Sequence, residues 1–105
     1  MQLAEEAYRL SARFPKQEIY GLAGQLQRSA VSLPSNIAEG HGHNSSKEFY
    51  HFLGIALGSL AELETQLILA QHLNYLSEEE ISPALQNADE IGKMLKGLQK
   101  SLPTN

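Results

Sequence analysis

Apolar residues recur at alternating spacings of three and four along nearly the whole chain, and no stretch alternates with period two. Four segments carry the pattern. The first holds Leu3, Ala7, Leu10 and Phe14, and the second Ile19, Ala23, Leu26, Ala30, Leu33 and Ile37. The third holds Phe49, Leu53, Ala56, Leu60, Leu63, Leu67 and Ala70, and the fourth Ile81, Ala84, Ala88, Ile91, Leu95, Leu98 and Leu102. Each set is a seam on one helix face, so the chain is predicted to be all-α, with helices over about 2–14, 17–40, 46–73 and 78–101.

The punctuation fits these bounds. Pro15 ends the first helix, because it disfavours a helical Phe14 and has no amide proton. Gly40-His-Gly42 ends the second, with glycine able to take the left-handed cap conformation. Ser45-Ser-Lys-Glu48 and Ser77-Glu-Glu-Glu80 read as capping boxes, in which serine meets a free amide and glutamate reaches back. Asn74 and Tyr75 break the third helix. Pro34 predicts a kink near Leu33, and Pro83 either a kink or a helix restarted after Ser82. Glu78, Glu79 and Glu80 sit at the positive end of the last helix, and Lys93, Lys96 and Lys100 near its negative end, so the dipole accounts for them before any ligand is invoked. Short connections make sequential helices antiparallel. The expected fold is an up-down-up-down four-helix bundle, one domain over residues 1–105.

One chain leaves surface over. A first helix of about 14 residues spans roughly 21 Å, half of the roughly 42 Å of the third, so part of a groove stays open unless another chain covers it. Phe52, Ile55, Leu57, Ile68 and Leu69 on the third helix, with Leu85 and Met94 on the fourth, widen the apolar stripe beyond one seam and predict a second buried face. Gly54 and Gly58 lie four apart with Ala61 close by, and glycine inside a helix costs about 1 kcal/mol relative to alanine. They predict a close approach of another helix; the alternative is that they make room for Phe49 or Phe52 within the chain. A polar stripe runs along the second helix through Gln25, Ser29, Ser32, Asn36 and Glu39, flanked by Arg28 and Ser35, and Ser59, Glu62 and Gln66 answer it on the third. It reads as polar pairs fixing register in an interface, or a solvated face, rather than a recognition groove or channel lining. The candidate oligomer interface or polar seam is therefore Gln25, Arg28, Ser32, Asn36, Glu39, Gly54, Gly58, Glu62 and Gln66, and the expected partner is another copy of the chain.

Composition narrows the chemistry. With 105 residues, 42% apolar and 19% charged, the chain is an ordinary globular protein rather than a disordered one. The absence of cysteine excludes disulfides, thiolate zinc sites and cysteine nucleophiles. The net charge of −4 has the wrong sign for a generic phosphate binder. The apolar stretch Leu53–Ala61 is too short to cross a bilayer and no signal segment opens the chain, so no membrane association and a cytoplasmic location are expected. His41-Gly-His43 with His51 lacks the helical spacing of a metal site, and a capping-loop or solvent role is expected. Glu39, Glu62 and Glu64 form no di-metal motif, since Glu48-Phe-Tyr-His51 occurs once and near a helix start. No nucleophile turn or phosphate loop is visible, so neither catalytic residues, metal nor cofactor are expected. For nucleic acid, Arg9, Arg13 and Lys16 cluster at the end of the first helix, with Arg28 and Lys47 placed near them and Tyr8, Tyr20 and Tyr50 as stacking candidates. The favoured reading is that these cations cap the helix and the tyrosines fill the bundle edge.

Specific strings go further. Gln25-Leu-Gln-Arg-Ser-Ala-Val-Ser-Leu-Pro-Ser-Asn-Ile-Ala-Glu-Gly40, Phe52-Leu-Gly-Ile-Ala-Leu-Gly-Ser-Leu60, Glu62-Leu-Glu-Thr-Gln-Leu67 and Ile91-Gly-Lys-Met-Leu95 resemble the four-helix-bundle family named for proteins encoded in intervening sequences of bacterial 23S ribosomal RNA genes. The resemblance covers residues from about 3 to 102. It implies a left-handed antiparallel bundle, assembly as a ring of five and no known enzymatic activity. It also implies kinship with the basic accessory variability protein of diversity-generating retroelements, which partners a reverse transcriptase and binds nucleic acid. The chain departs from the family pattern in its acidic charge, in a start lacking the usual residues and Trp ahead of Leu3, and in His43 where an Arg is usual. The expected function is that of a non-enzymatic, homopentameric bacterial interaction or scaffold module; the alternative is a nucleic-acid-binding accessory to a reverse transcriptase or a structured RNA.

Overall fold

The computed structural model describes residues 2–103. Four helices, α1 (Gln2–Ser11), α2 (Leu22–His41), α3 (Ser46–His72) and α4 (Glu78–Ser101), are joined by short turns, with a 3-10 turn at Lys16–Glu18 and no strand among the described residues. Contacting residues run in opposite order along neighbouring helices. Gly40 lies against Phe49 and Phe52 while Ser32 bonds Ser59, and Gln99 reaches Tyr50 while Gly92 lies against Leu60. Arg13 pairs with Glu80 near the start of α4, and the start of α1 shares a groove with Ile91 and Leu98 further along it. Helix α1 packs on α2 and α4 and sits diagonally across from α3.

The predicted seams form the core. Leu26, Leu53, Leu63 and Leu67 are fully buried, with Ala30, Ala56, Ala70, Ala84 and Ala88 letting the helices close around them. Each buried leucine contributes about 1.5–3 kcal/mol by leaving water. Helix α3 is, by length and composition, long and apolar enough to cross a membrane, which the nine-residue reading of its centre missed. Its seam is the inner wall of the bundle and accounts for part of that hydropathy; 39% of the most apolar window is buried, and Ile55, Ile68 and Leu69 stay exposed.

Several ends differ from expectation. Helix α1 stops at Ser11, not Phe14. The Ser11 hydroxyl donates to the Tyr8 carbonyl, and the next amides, of Arg13 and Phe14, take tight three-residue bonds. Helix α2 begins at Leu22, not 17, because Pro15 and the 3-10 turn intervene; Glu18 then caps it from four residues away, its Oε1 accepting from the Leu22 amide at 3.1 Å. Ile19, assigned to the seam on the assumption of a continuous helix, is therefore 57% exposed. Gly42 is not left-handed: its φ is −74° and α2 ends by tightening its last turn. The left-handed residue is Asn74 at φ 64°. The Tyr75 amide donates to the Ala70 carbonyl and the Asn74 amide to that of Gln71, the bond pair that ends a helix on a left-handed residue. The Ser77–Glu80 capping box forms in full. At Ser45 only half forms: its hydroxyl accepts from the Glu48 amide, but the Glu48 carboxylate turns to His43 Nδ1 at 2.6 Å. Pro34 and Pro83 both lie inside unbroken helices, so α4 does not restart at Ser82.

Candidate oligomer interface and polar groove

The polar stripe of α2 stands beside its answer on α3. Gln25, Arg28, Ser29, Ser32, Glu62 and Gln66 line an open concavity of about 420 Å³ between the two helices. At its inner edge Ser32 Oγ and Ser59 Oγ share a hydrogen bond of 2.8 Å, and Asn36 Nδ2 donates to both Ser32 Oγ at 2.9 Å and the Ser32 carbonyl at 2.8 Å. Ser59 is buried, so its bond to Ser32 ties α2 to α3 within one chain, where the sequence suggested pairs across an interface. One atom is left over. Gln66 Oε1 is buried without a hydrogen-bond partner among the described residues, a loss of about 1–3 kcal/mol unless a donor reaches it. Glu39 is exposed and outside this groove.

The glycines do not serve the chain's own packing. A Cβ at Gly58 meets nothing within 4 Å, and one at Gly54 meets only Gln99 Nε2 at an ordinary 3.6 Å. The space for Phe49 and Phe52 is made instead by Gly40, whose Cβ would stand 3.0 Å from Phe49 Cδ1 and 2.6 Å from Phe52 Cβ. Gly54, Gly58, Ala61 and Thr65 thus form a bare outer face on α3, bordered by exposed Ile55, Ile68 and Leu69. On the opposite side of the bundle, the short α1 leaves the predicted groove open. Leu3, Ala4, Leu33, Pro34, Ile37, Ile91, Met94, Leu95 and Leu98 line an apolar concavity of about 660 Å³, with Met94 72% exposed.

The weaker candidates separate. Arg9 lies 4.0 Å from Glu6, and Arg13 pairs with Glu80 at 2.7 Å. Tyr8, Tyr20 and Arg28 meet in a shallow hollow with Ile19 and Val31. Lys47 is not near them: it lies at the other end of the molecule, beside Tyr50, Gln99 and Lys100. The histidines serve the α2–α3 turn, His41 edge-on to Phe49, His43 stacked on Phe52 at 5.2 Å and His51 edge-on to Phe52. Among the described residues no three His, Asp or Glu side chains gather as a metal site. Sequence reasoning missed the Glu18–Tyr75 bond, in which the Tyr75 hydroxyl donates to Glu18 Oε2 at 2.7 Å. That bond, with the Leu22 amide, holds the Glu18 carboxyl below its ordinary value and pushes the Tyr75 phenol up.

Fold and surface together define an all-α four-helix protein with a polar groove, a bare glycine face and an open apolar groove on its outside. The chain belongs to the 23S rRNA-intervening sequence protein family, whose model matches residues 1–97. It is similar to a solved protein of unknown function from the S23 ribosomal protein family of Bacteroides thetaiotaomicron. The two are 24% identical, the match covers 94% of this chain and 99% of that one, and the TM-score is 0.77, a likeness of fold. No curated protein matches the chain.

Proposed function

We propose that the chain is a non-enzymatic subunit of a cyclic homo-oligomer, an interaction or scaffold module of the bacterial cytoplasm. The observation that carries this reading is the outer face of α3, where Gly58 is bare for no internal reason and exposed Ile55, Ile68 and Leu69 border it. Glycine at a helix interior is disfavoured by about 1 kcal/mol, and a helix from a second copy packing closely would offset that. The open apolar groove lies on the side of α1, diagonally across from α3. Two different faces would pair head to tail, a contact that closes into a ring when the rotation between copies allows it. The family resemblance supports a ring of five.

Light scattering on purified protein tests this. The wild type is expected at several times 11.6 kDa. Gly58→Leu places a good helix former where nothing stands in its way within the chain, so the variant stays helical by circular dichroism while the mass falls to that of one chain. Met94→Glu, at an exposed position in the groove, is expected to do the same. A wild type that scatters as one chain at micromolar concentration overturns the proposal.

A further inference from the structure

Four of the five lysines gather at one end of the molecule, although they are 46 or more positions apart in sequence between α3 and α4. Lys47 lines a concavity of about 960 Å³ with Tyr50 and Lys100, and Lys93, Lys96, Gly97 and Lys100 line an adjoining one of about 510 Å³ that Tyr50 shares. Lys93 leans on Asp89 at 3.3 Å. Among the described residues no carboxylate lies within 4.0 Å of the charged nitrogen of Lys47, Lys96 or Lys100. The one acid in the first turn of α3, Glu48, faces the other way and is occupied by His43. Apart from the negative end of the α4 dipole, Lys47, Lys96 and Lys100 thus have no acid against them, in a chain that carries four more acids than bases.

The Tyr50 ring stands in the middle of this surface, 54% exposed, with its backbone carbonyl held by Gln99 Nε2 at 3.1 Å. A Cβ at Gly97 beside it would meet nothing within 4 Å, so no packing inside the chain calls for that glycine. Unpaired lysines around an exposed ring with a bare backbone next to it are the elements of a stacking platform: cations for successive phosphates and an aromatic face for a base. A duplex hides its base faces, so the exposed ring favours a single strand, and the vesicle arm of the test separates nucleic acid from an acidic lipid surface.

We propose that this end of the bundle binds single-stranded nucleic acid, with Lys47, Lys96 and Lys100 on phosphates and Tyr50 against a base. The surface continues the face of α3 that carries Gly54 and Gly58, since Gln99 beside Tyr50 is also the neighbour of Gly54, so each variant is sized by light scattering as well: lost binding at unchanged mass separates this reading from the oligomer reading.

The test is fluorescence anisotropy with labelled oligouridylate and oligothymidylate, a duplex of the same length, and phosphatidylserine vesicles, over a salt series starting at about 50 mM. Three phosphate contacts give a log–log salt slope of about −2. Lys96→Glu is expected to weaken single-strand binding about tenfold and flatten the slope by about 0.7. Tyr50→Ala is expected to weaken it about fivefold or more. Lys16→Glu, at the opposite end, leaves it unchanged. Circular dichroism melts confirm that each variant is folded. Binding of either single strand with this mutational pattern supports the proposal. It is overturned by no binding at the lowest salt, by equal losses from Lys16→Glu and Lys96→Glu, by an unaffected Tyr50→Ala, or by a preference for duplex or vesicles.

Discussion

Where α1 meets the α3–α4 turn, polar side chains are tied to one another. Arg13 reaches Glu80, which also closes the Ser77 capping box; Tyr75 holds Glu18, which caps α2; and Gln27 Nε2 donates to Ser11 Oγ at 2.9 Å across the α1–α2 junction. Phe14 and Tyr75 pack together there, ring centres 5.5 Å apart and planes tilted by 44°. At the other end the α2–α3 turn is held by packing, with Gly40 admitting Phe49 and Phe52, and by Glu48 against His43, while three lysines face outward without an acid. The first end fixes how the helices connect. The second carries chemistry that the fold does not use. Charges with partners are thus better explained by stability, and charges without partners by something outside the chain.

Phe14→Ala should have the largest effect on this contrast. The ring is 7% exposed and joins the 11–22 connection to Tyr75, so its loss is expected to cost about 3–5 kcal/mol by denaturant unfolding. A cost near zero would mean that the tied end is not what anchors α1. Gly40→Ala probes the other end. Its Cβ falls 2.6 Å from Phe52 Cβ, which cannot swing aside as a flexible tip would, and the gain in helix propensity only partly offsets the clash. A net loss of about 1–2 kcal/mol is expected. Tyr75→Phe should give the smallest effect, and a pH-dependent one. The Glu18 carboxyl sits below its ordinary 4.5 when folded, so its contribution is present above that value and lost as pH falls through the folded one. The Tyr75 phenol is raised above 10.0, so its contribution is present below that value and lost as pH rises through the folded one. The gap in thermal midpoint between wild type and Tyr75→Phe should therefore be level from about pH 6 to 9 and close at both extremes. A gap that ignores pH would mean that the hydroxyl contributes through something other than its bond to the Glu18 carboxylate.

Much of the fold could be read directly. Heptad spacing placed Leu26, Leu53, Leu63 and Leu67 in the core, and serine three residues ahead of glutamate located the start of α4. The failures share a cause: they depend on which residues are neighbours in space. Ile19 keeps the seam's spacing although the backbone around it is not α-helical, so periodicity alone placed it inside. Glu18 went unnoticed as a cap because the helix it caps begins five residues later than the pattern suggested. Gly40 and Gly58 look alike as letters, and only the position of Phe52 shows that one is filled from within and the other bare. Each lysine of α4 had a sufficient explanation in the helix dipole, and Lys47 was grouped with arginines at the wrong end. The polar groove was the exception, because its residues repeat at matching intervals on two consecutive helices and so met as expected.

Helix α1 has ten residues against 20 to 27 in the others, touches only two of them, and is attached through a connection containing Pro15. A unit of that size can detach while the α2–α3–α4 hairpins keep their own interior, so the molecule has a natural order of coming apart. Amide protons of α1 should exchange with solvent first and those around Leu63 last, so the region with the briefest lifetime is also the one that covers the inner side of the apolar groove.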